Sequence, residues 1–286
     1  MRVALVTGAS RGIGKASAVA LAHAGFDVAV AARTIHEGSG IDDSDSMRRP
    51  LPGSLESTAA VIEAAGQQAL PIRMDLLERP SLDAGVELLL DRWGRIDVLV
   101  NNAVNTGPGS MDQILDLTIP VVEEKLAANA VAPLVLIKLV LPAMLKQGGG
   151  TIINVTSPVA ENDPPAPAGS GGWGLAYAMS KGALHRIAGI LAVELGDRGI
   201  RAFNLDPGFV VTERMAMVQK EHGLQSYKGA PPSVPGAVIA WLATEAAGAA
   251  AGTAAGAATE SNGRTVRAQK LALELDLHPD WREHAR

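Results

Sequence analysis

The sequence predicts a doubly wound α/β fold: a single parallel sheet of about seven strands with helices on both faces. Short apolar runs alternate with longer helical patterns along most of the 286 residues. The strand candidates are apolar throughout, not at every second residue, so both of their faces need cover, as in a parallel sheet. The first strand also runs into a glycine-rich turn and then a helix, the βα unit from which such folds are built.

Taken in order, residues 3–6 read as a buried strand, 13–24 as a helix and 28–31 as a second strand. A polar stretch at 34–53 with several glycines and acids reads as a long loop. Residues 55–65 are helical, 69–74 extended, 81–93 helical and 96–100 an apolar strand. A long helix at 121–145 is expected to break or bend near Pro133 and Pro142. Strand 151–156, helix 176–197 and strand 200–205 follow. The segment between them at 158–174 is rich in Pro and Gly, and 246–259 is a low-complexity Ala/Gly tract. With no internal repeat and no dividing linker, residues 1–286 are expected to form one nucleotide-binding domain. Residues 213–235 read as a substrate lid and 260–286 as an atypical C-terminal segment.

Composition narrows the chemistry. A formal charge of −5 without a long basic run makes nucleic acid an unexpected partner. Zero cysteines exclude a disulfide framework and a thiolate metal site, and the six scattered histidines lack ligand spacing, so no metal is expected. The apolar stretch 130–145 contains Pro133, Lys138 and Pro142, which argues against a membrane span. A cytoplasmic location follows as the expectation.

The turn Thr7-Gly8-Ala9-Ser10-Arg11-Gly12-Ile13-Gly14 has the spacing GxxxGxG. Glycines let the backbone turn sharply and approach a pyrophosphate, while the amides and dipole at the helix start favour the anion. The acid that commonly follows about 20 residues on, to bind a ribose 2′-hydroxyl, is missing. Strand two ends Ala31-Ala32-Arg33, and Asp27 lies at its wrong end. The Arg33 guanidinium, helped by Arg11, matches a 2′-phosphate, so NADP is favoured over NAD. Glu37, Asp42, Asp43 and Asp45 in the 34–53 loop are the other source of a ribose carboxylate.

Tyr177 and Lys181 are four residues apart at the start of a helix, on one face. An ammonium beside a phenol favours the phenolate, which predicts a lowered Tyr pKa. Ser157 ends the preceding strand at the edge where open α/β sheets bind ligands, and its hydroxyl can hold a carbonyl oxygen.

Together the turn, Asn101-Asn102-Ala103, Asn129, Ser157, Tyr177-Ala178-Met179-Ser180-Lys181 and Pro207-Gly208 resemble the short-chain dehydrogenase/reductase family over residues 2–212. The resemblance implies hydride transfer between NADP(H) and a carbonyl or secondary alcohol of a small organic substrate. It makes Tyr177 the general acid/base, Lys181 its partner and a ribose ligand, Ser157 the carbonyl anchor, and Asn129 the holder of a relay water. It implies a cofactor set of Gly8, Ser10, Arg11, Gly12, Ile13, Gly14, Arg33, Asp75, Leu76, Asn101, Ala103, Tyr177, Lys181, Pro207, Gly208, Val210 and Thr212. Asp75 would face the adenine, and Thr212 the carboxamide. It also implies a homo-oligomer, a tetramer first and a dimer second, through helices 121–145 and 176–197. Two departures stand out: Val104 follows Ala103 where the family often has Gly, and Ser157 and Tyr177 are unusually far apart in sequence. Reduction of an activated C=C bond, or nucleotide binding without turnover, are the rival readings.

Overall fold

The computed structural model describes residues 1–42, 48–221, 229–245 and 261–282. Seven parallel strands form the main sheet: β1 (Arg2–Thr7), β2 (Phe26–Ala32), β5 (Ala69–Arg73), β6 (Val98–Asn101), β7 (Gly150–Val155), β8 (Ile200–Asp206) and β9 (Thr265–Arg267). Their spatial order is β5-β2-β1-β6-β7-β8-β9. The order reverses beside β1, between β2 and β6, and this opens a crevice at the strands' C-terminal ends.

Alternation along each strand builds two cores. Ala4 and Val6 of β1 face α1 (Gly12–His23), α2 (Leu55–Ala64), α8 (Ser233–Glu245) and α9 (Ala268–Glu274). Val3 and Leu5 face α3 (Arg79–Trp93), α5 (Ala132–Lys146) and α6 (Leu175–Leu195). Side chains of successive strand residues point to opposite faces, so strands that are apolar at every position can bury both.

Several sequence expectations need correction. The long helix is not interrupted by its prolines. α4 (Ile119–Leu126) passes through a π turn at Ala127–Val131 centred on Asn129 before α5 begins. Pro133 occupies the first turn of α5, where no N–H partner is needed, and Pro142 lies inside that helix. The run Ile119–Lys146 is long and apolar enough to cross a membrane by composition, but 56% of its most apolar window is buried inside the fold. The 34–53 segment is not a plain loop, because β3 (Ile41–Asp42) and β4 (Arg49–Pro50) pair antiparallel within it. The seventh strand is β9, in a C-terminal segment whose role the sequence left unassigned. The stretch 213–235 expected as a lid holds α7 (Glu213–Glu221) and runs into α8, where Val234 and Pro235 are buried. The 246–259 tract, together with Asp43 and Asp45, lies outside the described residues.

Candidate active site

The phosphate-type turn is shaped by its glycines. Gly8 and Gly12 take φ of +68° and +55°, a region L side chains rarely adopt. At Gly14 the reason is contact: a Cβ there would lie 2.2 Å from Gly8 O and 2.5 Å from Asn102 Nδ2. Asn102 holds the turn from the far side, its Nδ2 donating to Thr7 O at 2.9 Å, while Thr7 Oγ1 accepts from the Asn102 and Ala103 amides. Behind the turn, Thr58 of α2 donates to Ala9 O at 2.8 Å.

A cavity of about 300 Å³ opens over this turn. Of the residues expected to bind a cofactor, Gly8, Ser10, Arg11, Gly12, Ile13, Arg33, Asp75, Leu76, Ala103 and Thr212 line it. Gly14, Asn101, Tyr177, Lys181, Pro207, Gly208 and Val210 do not. Asn101 is buried and donates to Asn154 Oδ1 on the next strand at 3.0 Å. The turn at Pro207–Gly208 is fixed by Gln269 of α9, whose Nε2 donates to Pro207 O and Phe209 O at 3.0 and 2.9 Å. No sequence signal marks Gln269, which arrives from a segment about 60 residues away.

The arginines divide their work. Arg33 lies at the cavity wall, at the end of β2. Arg11 also lines the cavity and is bound down on the 34–53 segment, donating to Pro52 O at 2.8 Å and Gly53 O at 2.9 Å. The described acids of that segment also have other partners. Glu37 accepts from the Gly53 amide at 2.7 Å, and the buried Asp42 accepts from Arg214 Nε on α7, at 3.1 Å to each oxygen. Asp27 caps the Gln68 amide at the opposite end of β2.

The first residue of α7 completes the turn in a way the sequence did not show. A Glu213 carboxylate oxygen accepts the Gly12 N–H at 2.9 Å. This amide opens α1, where an anion is favoured by the dipole and the unpaired donors of the first turn. The turn thus already holds an anionic oxygen at the position where the dipole and free amides favour one.

Ser157 follows β7 in extended conformation and caps the short turn Pro158–Ala160. Its hydroxyl faces the Tyr177 phenol closely enough to act on its ionisation. Burial raises the phenol pKa; the Ser157 hydroxyl and the charge of Arg214 pull it down, and the carboxylate of Asp206 pushes it up. The expected lowering by Lys181 is not what the structure gives. Lys181 is buried, directs its Nζ to Val155 O at 2.7 Å, and has its own pKa brought down to about 8 by desolvation. The phenol is therefore favoured in its protonated form.

Asn129 reaches this site through neighbours. Its Oδ1 accepts the Asn105 amide at 2.8 Å, and its Nδ2 donates to Ser180 Oγ at 3.0 Å. Ser180 in turn donates to Tyr177 O at 2.9 Å, which ties the π turn to the first turn of α6. Lys125, one turn earlier and buried, was also missed. Its ammonium donates to Asn105 O, Gly107 O and Ser110 Oγ at 2.8, 2.6 and 3.2 Å, fixing the loop that meets Asn129. The 158–174 insertion that separates Ser157 from Tyr177 in sequence is anchored where Gly174 N donates to Ser110 O at 2.7 Å. Trp173 within it is half-buried.

A glycine turn at the switch point of a parallel sheet, with Ser157 after β7 and Tyr177 on α6 beside it, is the arrangement of a nucleotide-dependent oxidoreductase. Comparison with known proteins agrees. The chain matches the family model for short chain dehydrogenase over residues 2–42 and 50–223. It is 32% identical over 252 residues to a 3-oxoacyl-[acyl-carrier-protein] reductase of Synechocystis sp., covering 87% of this chain and 91% of that one. It is 30% identical over 219 residues to the 7alpha-hydroxysteroid dehydrogenase of Escherichia coli, covering 76% and 74%. The crystal structure of a 3-oxoacyl-[acyl-carrier protein] reductase from Brucella melitensis in complex with NAD superposes with a TM-score of 0.72 at 25% identity, over 93% of this chain and 95% of that one.

The chain belongs to the short-chain dehydrogenase/reductase family. It is an oxidoreductase acting on alcohol or carbonyl groups with a nicotinamide cofactor.

Proposed function

We propose that this chain is a single-domain, NADP(H)-dependent reductase of ketones or aldehydes on small organic molecules. The meeting of Ser157, just after β7, with Tyr177 in the first turn of α6, where the phenol is favoured in its protonated form, is the observation that supports this reading. Residues 8–14, Arg33, Asp75 and Thr212 would hold the dinucleotide, and its nicotinamide supplies the hydride. The chain's own part is orientation and proton transfer. Ser157 Oγ donates a hydrogen bond to the substrate carbonyl oxygen, polarising it and fixing its face. Tyr177 gives its proton to the same oxygen as negative charge develops there, the role of a general acid. Lys181, held under the phenol's helix turn by Val155 O, brings positive charge when protonated. The Asn105–Asn129–Ser180 chain keeps the Tyr177 turn in place.

The test is NADPH and NADH oxidation over matched ketones, aldehydes and enones. Turnover of saturated ketones or aldehydes with NADPH supports the proposal. Turnover of enones alone makes the chain a C=C reductase, and nucleotide binding without any turnover makes it a binding protein.

Cofactor entry has a specific consequence at Glu213. Its carboxylate holds the Gly12 amide that a pyrophosphate oxygen would take. Glu213→Gln should tighten NADPH and NADH alike, by roughly tenfold, because the pyrophosphate is common to both and one competing charge is removed. Fluorescence titration of the bound nucleotide measures this, and unchanged dissociation constants would contradict it.

Assembly follows from exposed apolar side chains on α5 and α6. Leu134, Ile190 and Val193 are solvent-exposed, Val193 to 87%. Large apolar groups left in the open on long helices favour burial against another copy. We expect a homo-oligomer, a tetramer ahead of a dimer. Light scattering at micromolar concentration checks this; a monomer would refute it.

A further inference from the structure

A carboxylate stands beside the phenol that neither the phosphate turn nor the proton transfer uses. Asp206 ends β8, next to the strand that delivers Ser157: Val155 pairs with Leu205, and the Thr156 amide donates to Leu205 O at 2.8 Å. The alternation of β8 fixes its face. Asn204 reaches α6, donating to His185 O at 2.7 Å. Leu205 is buried in the core on the opposite side. Asp206 therefore returns to the α6 face, at the level of the first turns of that helix. Tyr177 and Lys181 lie there, eight and four residues before His185, and the phenol feels the Asp206 charge directly.

The carboxylate is half-buried and held on one side only. Oδ1 accepts the Gly208 amide at 2.9 Å, while Oδ2 receives no hydrogen bond among the described residues. Partial burial raises the pKa of the acid, with the Gly208 bond and Arg267 opposing and Glu161 adding to the rise. Arg267 stands opposite it in the β8–β9 ladder, and Glu161 comes from the segment after Ser157. With charges of both signs around it, Asp206 forms no single-sign patch that would select a cation. It remains a hydrogen-bond acceptor lacking one donor. An alkyl group set against it would cost desolvation without return.

We propose that Asp206 is a specificity-determining residue that accepts a hydrogen bond from a substrate hydroxyl, making α-hydroxy ketones, and the vicinal diols they become, the preferred substrate class. Neighbouring strands are about 4.8 Å apart. A carbonyl oxygen on Ser157 and a hydroxyl on the adjacent carbon therefore span the step from β7 to β8. This inference rests on the carbonyl-reductase reading and adds the identity of the group beside the carbonyl.

The experiment compares kcat/KM for 1-hydroxy-2-butanone and 3-pentanone, which differ by a hydroxyl in place of a methyl, in the wild type and in Asp206→Asn and Asp206→Leu. NADPH affinity of each variant reports that it is folded. The wild type should favour the hydroxyketone by at least about tenfold, the range of a hydrogen bond to a charged group. Asp206→Asn should shrink that ratio several-fold, and Asp206→Leu should bring it to about one or below. A ratio unchanged in both variants, with both ketones turned over, overturns the role of Asp206 and leaves the reductase reading intact. A wild type that reduces 3-pentanone but prefers it to the hydroxyketone does the same. A wild type that reduces neither overturns both, because the inference requires the hydroxyketone to be a substrate.

Discussion

Tyr177→Phe should lower kcat by about 10²–10⁴-fold while leaving the dissociation constant of NADPH within about twofold. Tyr177 lies outside the lining of the nucleotide cavity and its hydroxyl faces Ser157, so removal of one oxygen takes away a proton donor and little packing. Steady-state rates with a reducible ketone, alongside a nucleotide titration, measure the two quantities. The direction of the effect follows from the field around the phenol. Burial and Asp206 favour the protonated form, which a reduction consumes at the developing alkoxide. A variant with near wild-type turnover would remove Tyr177 from the mechanism.

Arg33→Ala should weaken NADPH by roughly 10–150-fold and NADH far less, because charge-assisted bonds to a 2′-phosphate are worth about 1.5–3 kcal/mol. Arg33 lies on the cavity wall where β2 ends. Among the described residues the competing carboxylates have other work: Glu37 accepts from Gly53, Asp42 from Arg214, and Asp27 from Gln68 at the far end of the strand. Arg11 also lines the cavity and bonds Pro52 O and Gly53 O at the start of α1, whereas Arg33 stands where β2 ends, the place expected for a 2′-phosphate. Ala32→Asp should shift the preference towards NADH by adding a carboxylate that repels the phosphate. Dissociation constants of both nucleotides on wild type and variant decide this. Equal losses for the two, or a wild type that prefers NADH, would refute the assignment.

The sheet was legible because its signal is local. Runs such as Val3-Ala4-Leu5-Val6 have no polar position to expose, and the glycines from Gly8 to Gly14 can be read one residue at a time. Six of the seven strands followed from such runs. β9 did not, since Thr265-Val266-Arg267 is short and only its pairing with Asn204, Leu205 and Asp206 makes it a strand. The π turn at Asn129 was hidden behind two prolines that gave a more obvious reason for a break, yet Pro133 fits its helix without interrupting it.

The grouping of Ser157, Tyr177 and Lys181 at the end of β7 and the start of α6 was legible from the sequence. It was not legible where a role depends on meeting a distant segment. Glu213 reaches Gly12 across about 200 residues, Gln269 reaches Pro207 across about 60, and Asp42 reaches Arg214 across about 170. Each is an ordinary surface residue type until the fold brings its partner to it. The Tyr177–Lys181 spacing was read correctly as one helix face, but the direction of the Lys181 side chain, towards Val155 O, is a property of packing that spacing does not contain.

The central claim is that Ser157 and Tyr177 serve reduction of a carbonyl. It is tested most directly with NADPH carrying deuterium at both C4 positions, incubated with a conjugated enone such as 3-penten-2-one and with 1-hydroxy-2-butanone, the products being read by mass spectrometry and NMR. The account predicts one deuterium on the carbinol carbon of the product alcohol, formed by the wild type and lost in Tyr177→Phe. Deuterium on the carbon β to an intact carbonyl, or label retained wholly in the nucleotide while it binds, would contradict it.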